Sequence, residues 1–531
     1  PLPAVRHTGG PGRAGRAQPL LVSLVPAARR VRGTPVRLPG GLTARAVPDC
    51  RTVEIVDAAG SSVVSLTIAV PGEPVWDGEA DEELLLEGDG VRSRLRVESD
   101  GVALTIAVTV DNLRAEPVEL PYLGLGVSLG DGYAGWSWTS DLQGLIAIAS
   151  ATDAGGGVLI RLRRGFLREV GEVPVFTDEP RPGSLTGPRQ DLAGCGAFHL
   201  SRPGALLGGH RRHAVALEIT PLDVLDAASA ALPSWLPDVV VPAGTSIDLS
   251  LPDQAVVPGD GVSCTLVDTD VAVTGQPGHR TVAVHGRGVE RLRLTWFPHV
   301  RELLPPMVDA VTRRRPARVS DAAGFLVADA VARGLAPDRE RALDWLEQVD
   351  WLERDSLLAD ATAGVLAVLL AERRQLDEVW RMLGRRAVTV GYGLVVMRLW
   401  LATLATTGEV PPTASELLTR QAPDAASGLE LALLSYRSQD ALGASLVGLI
   451  HLLGGSLPGR PVGVSASRAA IAVSLLKLCP EGWSLSGEAA ATASKAEGLL
   501  LADFTPPPPD EAAPHTDLDG LAWLLLGDLG V

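Results

Sequence analysis

Lysine is almost missing from this 531-residue chain: Lys477 and Lys495 are the only two among 47 lysines and arginines. Asparagine occurs once, at Asn112. Alongside abundant Ala, Gly, Val and Pro, this points to coding bias in a high-GC bacterium rather than to a function. Cysteine is scarce too. Cys50, Cys195, Cys264 and Cys479 lie far apart with no CxxC, which argues against a disulfide-dense scaffold or a cysteine metal cluster and makes a reducing cytoplasm the expected compartment. No apolar run approaches the length that spans a bilayer. The nearest to a secretory core, Ala17–Ala28 (AQPLLVSLVPAA), is broken by two prolines and a polar pair. Positive charge is also in deficit: the formal net charge of −16 disfavours a general nucleic-acid or anionic-membrane binder. One segment opposes that trend, since Pro1–Ala46 holds eight arginines and no acid. It reads either as a basic arm for an anion or as an edge segment paired with the acidic remainder.

What is present divides near residue 300. Before it, short runs alternate apolar and polar residues between Gly, Pro and Asp punctuation, the period of strands. After it, Ala- and Leu-rich stretches repeat at three and four residues, the period of helices. The expected architecture is a multidomain β-then-α chain. A large antiparallel β-sandwich fills 1–235, a small immunoglobulin-like sandwich 236–297, a linker 298–317 that is partly helical through Val300–Arg313, and an array of α/α-hairpins 318–531, as a short toroid or solenoid. Ser320 ahead of Asp321 and an apolar stripe predicts a helix start, and Gly334 its stop. Leu20–Val25 reads as a strand, Phe176–Gln190 as a long loop and Pro506–Pro509 as an extended spacer.

Two motif matches fail on context. Gly130-x-Gly132-x-x-Gly135 satisfies the dinucleotide fingerprint, but that mechanism needs a helix start after the glycines. Here Trp136-Ser137-Trp138 follows, alternating like a strand, so Asp131-Gly132 reads as a hairpin turn. Gly126-x-Ser128-x-Gly130 matches the nucleophile elbow but lies late in an apolar strand, where the serine is not presented on a strand-to-helix turn. His210 and His213 are three apart ahead of a strand and read as a solvated basic turn. No HExxH, Walker lysine motif or complete calcium loop occurs, and neither metal nor cofactor is expected.

The densest polar and aromatic cluster runs from Asp344 to Asp355, DWLEQVDWLERD. At a helix-to-helix junction, Asp350, Glu353 and Asp355 are candidates for the paired carboxylates that glycoside hydrolysis needs, with Trp345 or Trp351 as a stacking platform. The same residues also read as helix caps and an i,i+4 pair between Asp350 and Arg354. Trp136 and Trp138, two apart on a strand, share one face and form either a second sugar platform or part of a core.

This order of units resembles the β-supersandwich plus (α/α)6-toroid carbohydrate-active enzymes: glycoside phosphorylases, glucoamylase-like hydrolases and debranching enzymes. The likeness covers most of the chain. Its local support is Val108-Thr-Val-Asp-Asn112-Leu-Arg-Ala-Glu-Pro117-Val and the strand Ala214–Ile219; no catalytic motif of those families falls on a residue here. The resemblance implies carbohydrate processing or binding, with an oligosaccharide or polysaccharide as partner. The rival expectation is a non-enzymatic scaffold that uses its helical surface for a protein partner.

Overall fold

The computed structural model describes residues 29–30, 35–47, 51–70, 73–74, 84–88, 90–120, 123–151, 156–169, 196–202, 204–251, 255–267, 270–286, 288–316, 319–408, 412–435, 439–455, 457–505 and 518–529. The expected strand Leu20–Val25, most of the basic N-terminal segment, the 176–190 loop, the 506–509 spacer, Cys50 and Cys195 lie outside these residues.

Two antiparallel sheets face each other in the N-terminal half. In the larger, the sequence of neighbours is Tyr133–Thr139, Gly144–Ser150, Gly157–Arg164, Arg212–Leu222, Leu104–Asn112 and Val91–Ser99. The other includes Gly196–His199, Gly124–Leu129, Ser62–Ala69 and Thr52–Val56. Period-2 patterning makes this sandwich: Leu104, Ile106, Val108 and Val110 of one strand are all buried in its core. Gly144–Ser150 (GLIAIAS) is buried along its whole length. Ile146 and Ile148 face the sandwich core, while Leu145, Ala147 and Ala149 face a second apolar layer formed with the small sandwich.

The turn at Asp131-Gly132 differs from expectation. The strands it joins, Gly124–Leu129 and Tyr133–Thr139, belong to different sheets, so the glycines turn a corner between sheets instead of closing a hairpin ladder. Gly132 has φ +81°, which explains the residue type without any phosphate.

Val239–Phe297 folds as a four-stranded and a three-stranded sheet. The segment read as a linker carries a full helix, α1 (Val300–Thr312), despite Pro305 and Pro306. The helices that follow are α2 (Asp321–Ala332), α3 (Arg339–Glu347), α4 (Leu357–Leu369), α5 (Arg373–Arg385), α6 (Tyr392–Thr407), α7 (Pro412–Leu418), α8 (Ala425–Leu434), α9 (Gln439–Leu452), α10 (Ala466–Lys477), α11 (Ser486–Asp503) and α12 (Leu518–Gly527). Composition separates inner from outer helices. In α2 and α4 every residue from Ala322 to Val331 and from Leu358 to Ala367 is buried, as a helix apolar on all sides requires, and the acids among them, Asp329 and Asp360, are each paired with arginine. In α5 only Leu376, Val379, Trp380 and Leu383 are buried, one stripe of an amphipathic helix. Contacts run α2–α4–α6–α8–α9–α10–α12 and back to α2. The circuit closes, and its middle is packed: α6 also touches α12, and one apolar core spans the helices.

The two halves are interleaved. Arg460–Val462, which follows α9, pairs with Tyr133–Thr139 and so becomes an edge of the larger sheet. Lys495 of α11 donates to the carbonyls of Gly455 (2.6 Å) and Leu457 (2.8 Å) in the connecting loop, and His451 Nδ1 contacts the Ser150 carbonyl at 2.8 Å. Among the described residues no helix is long and apolar enough to cross a membrane.

Candidate functional site

The residues singled out between Asp344 and Asp355 are brought together, but not around an opening. Trp345 and Trp351 are buried, with ring centroids 6.4 Å apart. Their indole N–H groups donate to the carbonyls of Arg314 and Leu346, each at 2.9 Å. The Trp351 ring lies against Gly324, where an added Cβ would stand 2.2 Å from Cη2. These rings hold α2, α3 and the α1 end together and present no face for a sugar. Trp136 and Trp138 are buried as well. Their shared face is the outer side of the larger sheet, covered by the small sandwich and by the Gly454–Gly459 loop. Neither pair is an exposed platform, because each is packed within an apolar core.

The three acids point outward. Asp350 caps the 3-10 turn Trp351–Glu353 by accepting from Leu352 N–H at 3.1 Å. Glu353 is exposed on that turn. Asp355, 93% exposed, pairs with Arg386, which also grips the buried Asp360. The expected Asp350–Arg354 pair does not form, since a 3-10 turn intervenes where i,i+4 spacing needs an α-helix. Arg354 instead stacks on Trp351 and bonds Asp321 at 2.6 Å, and Ser356 Oγ donates to Asp321 at 2.5 Å.

A different polar cluster lies where the three units meet. Arg460 comes from the edge strand supplied by the helical half and lies opposite Ser137. Glu169 comes from the smaller of the two large sheets, and its N–H reaches Thr139 Oγ1 at 3.4 Å. His279 faces Thr295 across two strands of the small sandwich. Asp503 closes α11. His279 Nε2 lies 2.7 Å from Asp503 Oδ1, and His279 Nδ1 lies 3.0 Å from Thr295 Oγ1. Arg460 Nη2 reaches Asp503 Oδ1 at 3.2 Å and also touches the imidazole. This network assigns the proton to Nε2, facing the carboxylate, and leaves Nδ1 to accept from the threonine hydroxyl.

The electrostatics separate the two acids. Burial pushes the Glu169 carboxyl up, only partly offset by Arg460 and Arg293 and reinforced by Asp503. Burial also works against ionisation at Asp503, yet Arg460, the His279 hydrogen bond and Arg293 hold its carboxyl well below the usual range. Its side chain stays 45% exposed. Burial and the adjacent Arg460 depress the His279 imidazole to about 3, against the pull of Asp503. The two carboxyls are thus shifted in opposite directions, Glu169 up and Asp503 down, the direction of shift that separates acid from base roles.

The same shifts set a pH dependence. An imidazole kept neutral in the fold refuses a proton that the unfolded chain accepts below 6.5. Its contribution is therefore complete above that pH and declines toward about 3. Asp503 adds a loss of the same sign at lower pH. Glu169 acts oppositely, costing stability as pH rises above 4.5. We expect amide exchange in Gly278–His285 and the end of α11, corrected for intrinsic rate, to quicken as pH falls from 4.5 toward about 3, where Glu169 no longer opposes the trend. His279→Gln should flatten that trend, and an unchanged slope would remove His279 as its origin.

Sequence reasoning missed this cluster. Its members sit in four distant segments, each a single polar residue in an ordinary local setting. The one local signal is Asp503 closing the apolar run Leu499–Ala502.

No family model and no curated protein matches the chain. Among solved structures it is similar to a polysaccharide lyase (12% identity, 90% of this chain and 81% of that one, TM-score 0.42). It is also similar to a TPR-domain containing protein from Parabacteroides distasonis (10%, 88% and 87%, TM-score 0.20). A third likeness is to the family GH92 alpha-mannosidase from Bacteroides thetaiotaomicron (9%, 85% and 76%, TM-score 0.20). The neighbours of this β-then-α chain thus include two carbohydrate-active enzymes, at scores that carry no chemistry across.

Proposed function

We propose that the chain binds or processes a carbohydrate at the junction of its β and α halves, with Glu169 as the proton-holding acid and Asp503 as the ionised carboxylate. One observation carries this reading: His279, Arg460 and Asp503, from three different units, are bonded to one another where those units converge, and Glu169 is electrostatically coupled to Arg460 and Asp503. Ligand sites favour such domain interfaces, and glycosidic chemistry requires a pair of carboxyl groups. The closed circuit of helix contacts is compatible with it. His279 and Arg460 are positioning residues in this scheme, since both fix Asp503.

The test is a glycan-array screen of the full chain, followed by hydrolysis, phosphorolysis and elimination assays of Glu169→Gln and Asp503→Asn. The expected result is sugar binding by the parent, and loss of turnover by at least about 100-fold in either variant with binding retained, as removal of a general acid or base costs. Absence of sugar binding would overturn the carbohydrate reading. Turnover lost in Asp350→Asn or Glu353→Gln and kept in the junction variants would move the site to the α3–α4 turn.

A second reading has its own observation. His279, Arg460 and Asp503 are engaged with one another across the units, as a latch would be. A scaffold for a protein partner then needs the cluster only for rigidity. In that case Asp503→Asn loosens the junction in hydrogen exchange while no sugar binds.

A further inference from the structure

A half-open cavity of about 350 Å³ lies in the helical half, between the end of α1, the start of α2 and the start of α12. Val311, Val319 and Leu518 give it an apolar wall, and Arg314, Arg315 and Ser320 line its polar side. Its chemistry is one-sided because the carbonyls of four lining residues are already used. Val311 O accepts from Arg314 N–H (2.9 Å), Arg314 O from Trp345 Nε1 (2.9 Å), Val319 O from Arg354 (3.0 Å) and Ser320 O from Gly324 N–H (3.2 Å). Ser320 Oγ accepts from Ala323 N–H at 3.3 Å, which leaves its own proton to give.

The charges point the same way. Many arginines of the helical half are tied to acids: Arg313 to Asp309, Arg333 to Asp329 and Asp528, Arg354 to Asp321, Arg386 to Asp360. Among the described residues Arg314 and Arg315 have no acidic partner, although the chain is acidic overall. The carboxylate beside the cavity, Asp321, is already neutralised by Arg354 and hydrogen-bonded by Ser356. Two arginines without an acidic partner among the described residues and a serine therefore line the cavity together with its apolar wall.

We propose that this cavity binds a small organic anion, a carboxylate or phosphate carried on an apolar body. The arginines take the anionic group as charge-assisted partners, and Val311, Val319 and Leu518 cover the body. The size suits a compact ligand rather than a polymer. The site is independent of the junction, so it stands or falls without the carbohydrate reading.

The experiment is calorimetric titration of the full chain with phenyl phosphate and with benzoate, beside inorganic phosphate and benzyl alcohol. We expect saturable binding of at least one aromatic anion, weaker by about tenfold or more in Arg314→Ala/Arg315→Ala. Phosphate alone and the neutral alcohol should each bind more weakly than the anion that carries a ring. Both residues are exposed and the bonds that hold them use only Arg314 main-chain atoms, so the double variant keeps its fold, checked by its circular dichroism melt. No saturable heat with either anion overturns the proposal, as does unchanged affinity in the double variant. Benzyl alcohol binding as tightly as the anions would overturn the anionic character, and phosphate binding as tightly as phenyl phosphate the role of the apolar wall.

Discussion

Asp329→Ala is expected to destabilise the helical half by about 3–5 kcal/mol, the cost of leaving buried charge without its partner. Asp329 is fully buried on α2. Arg333 reaches it from one turn further along (Nε to Oδ2, 2.6 Å), and Arg398 reaches it from α6. The two arginines are unequally provided for. Arg333 keeps Asp528 (2.6 Å) and the Leu525 carbonyl (3.1 Å) when Asp329 is lost. Arg398 keeps only the Asp528 main-chain carbonyl, at 3.0 Å. The damage should therefore fall mainly on Arg398, and Asp329→Leu with Arg398→Met should cost less than Asp329→Ala alone. Urea unfolding followed by far-ultraviolet circular dichroism measures both. An alanine variant within about 0.5 kcal/mol of the parent, the range of ordinary surface changes, would show that the network contributes little.

Trp136→Ala should cost a comparable amount, about 3–5 kcal/mol for a fully buried indole, and should act between the halves. The ring is 0% exposed. It fills the space against two glycines of the loop ahead of Arg460: a Cβ on Gly454 would come within 2.3 Å of Cδ1, and one on Gly459 within 2.9 Å of Cε2. Emptying that space frees the loop that carries Arg460–Val462 into the larger sheet. Protection of Arg460–Val462 and Tyr133–Thr139 against hydrogen exchange should fall together. Trp136→Phe separates packing from polarity. The indole N–H is buried with no hydrogen-bond partner among the described residues, so its removal offsets part of the lost contact area and the phenylalanine variant should be far milder. Equal losses in both variants would argue against packing as the cause.

Much of the fold was legible because its signals are local. Alternation in Leu104–Asn112 and the predominantly apolar run of α2 and α4 identify strand and inner helix directly. Ser320 marked the start of α2, and its side chain does accept from Ala323. The corner at Asp131-Gly132 was not legible as such, since a turn between two sheets and a turn within one use the same residues. Arg460–Val462 is too short for any periodic signal, and its strand character comes wholly from the Tyr133–Thr139 edge.

The candidate site divides the same way. The sequence showed that Trp345, Trp351 and the acids between Asp350 and Asp355 are neighbours. It did not show which way they face, because a helix end and a 3-10 turn share composition and differ in periodicity. By itself the sequence determined a β-rich half followed by helices, the scarcity of lysine and cysteine, and an acidic surface. Tertiary structure alone decided that the four tryptophans are buried, that the helix contacts close on themselves, and that His279, Arg460 and Asp503 meet with Glu169 in their field. The reason is range: periodicity and capping are set within a few residues, whereas burial and ionisation depend on which distant segment supplies the neighbouring charge.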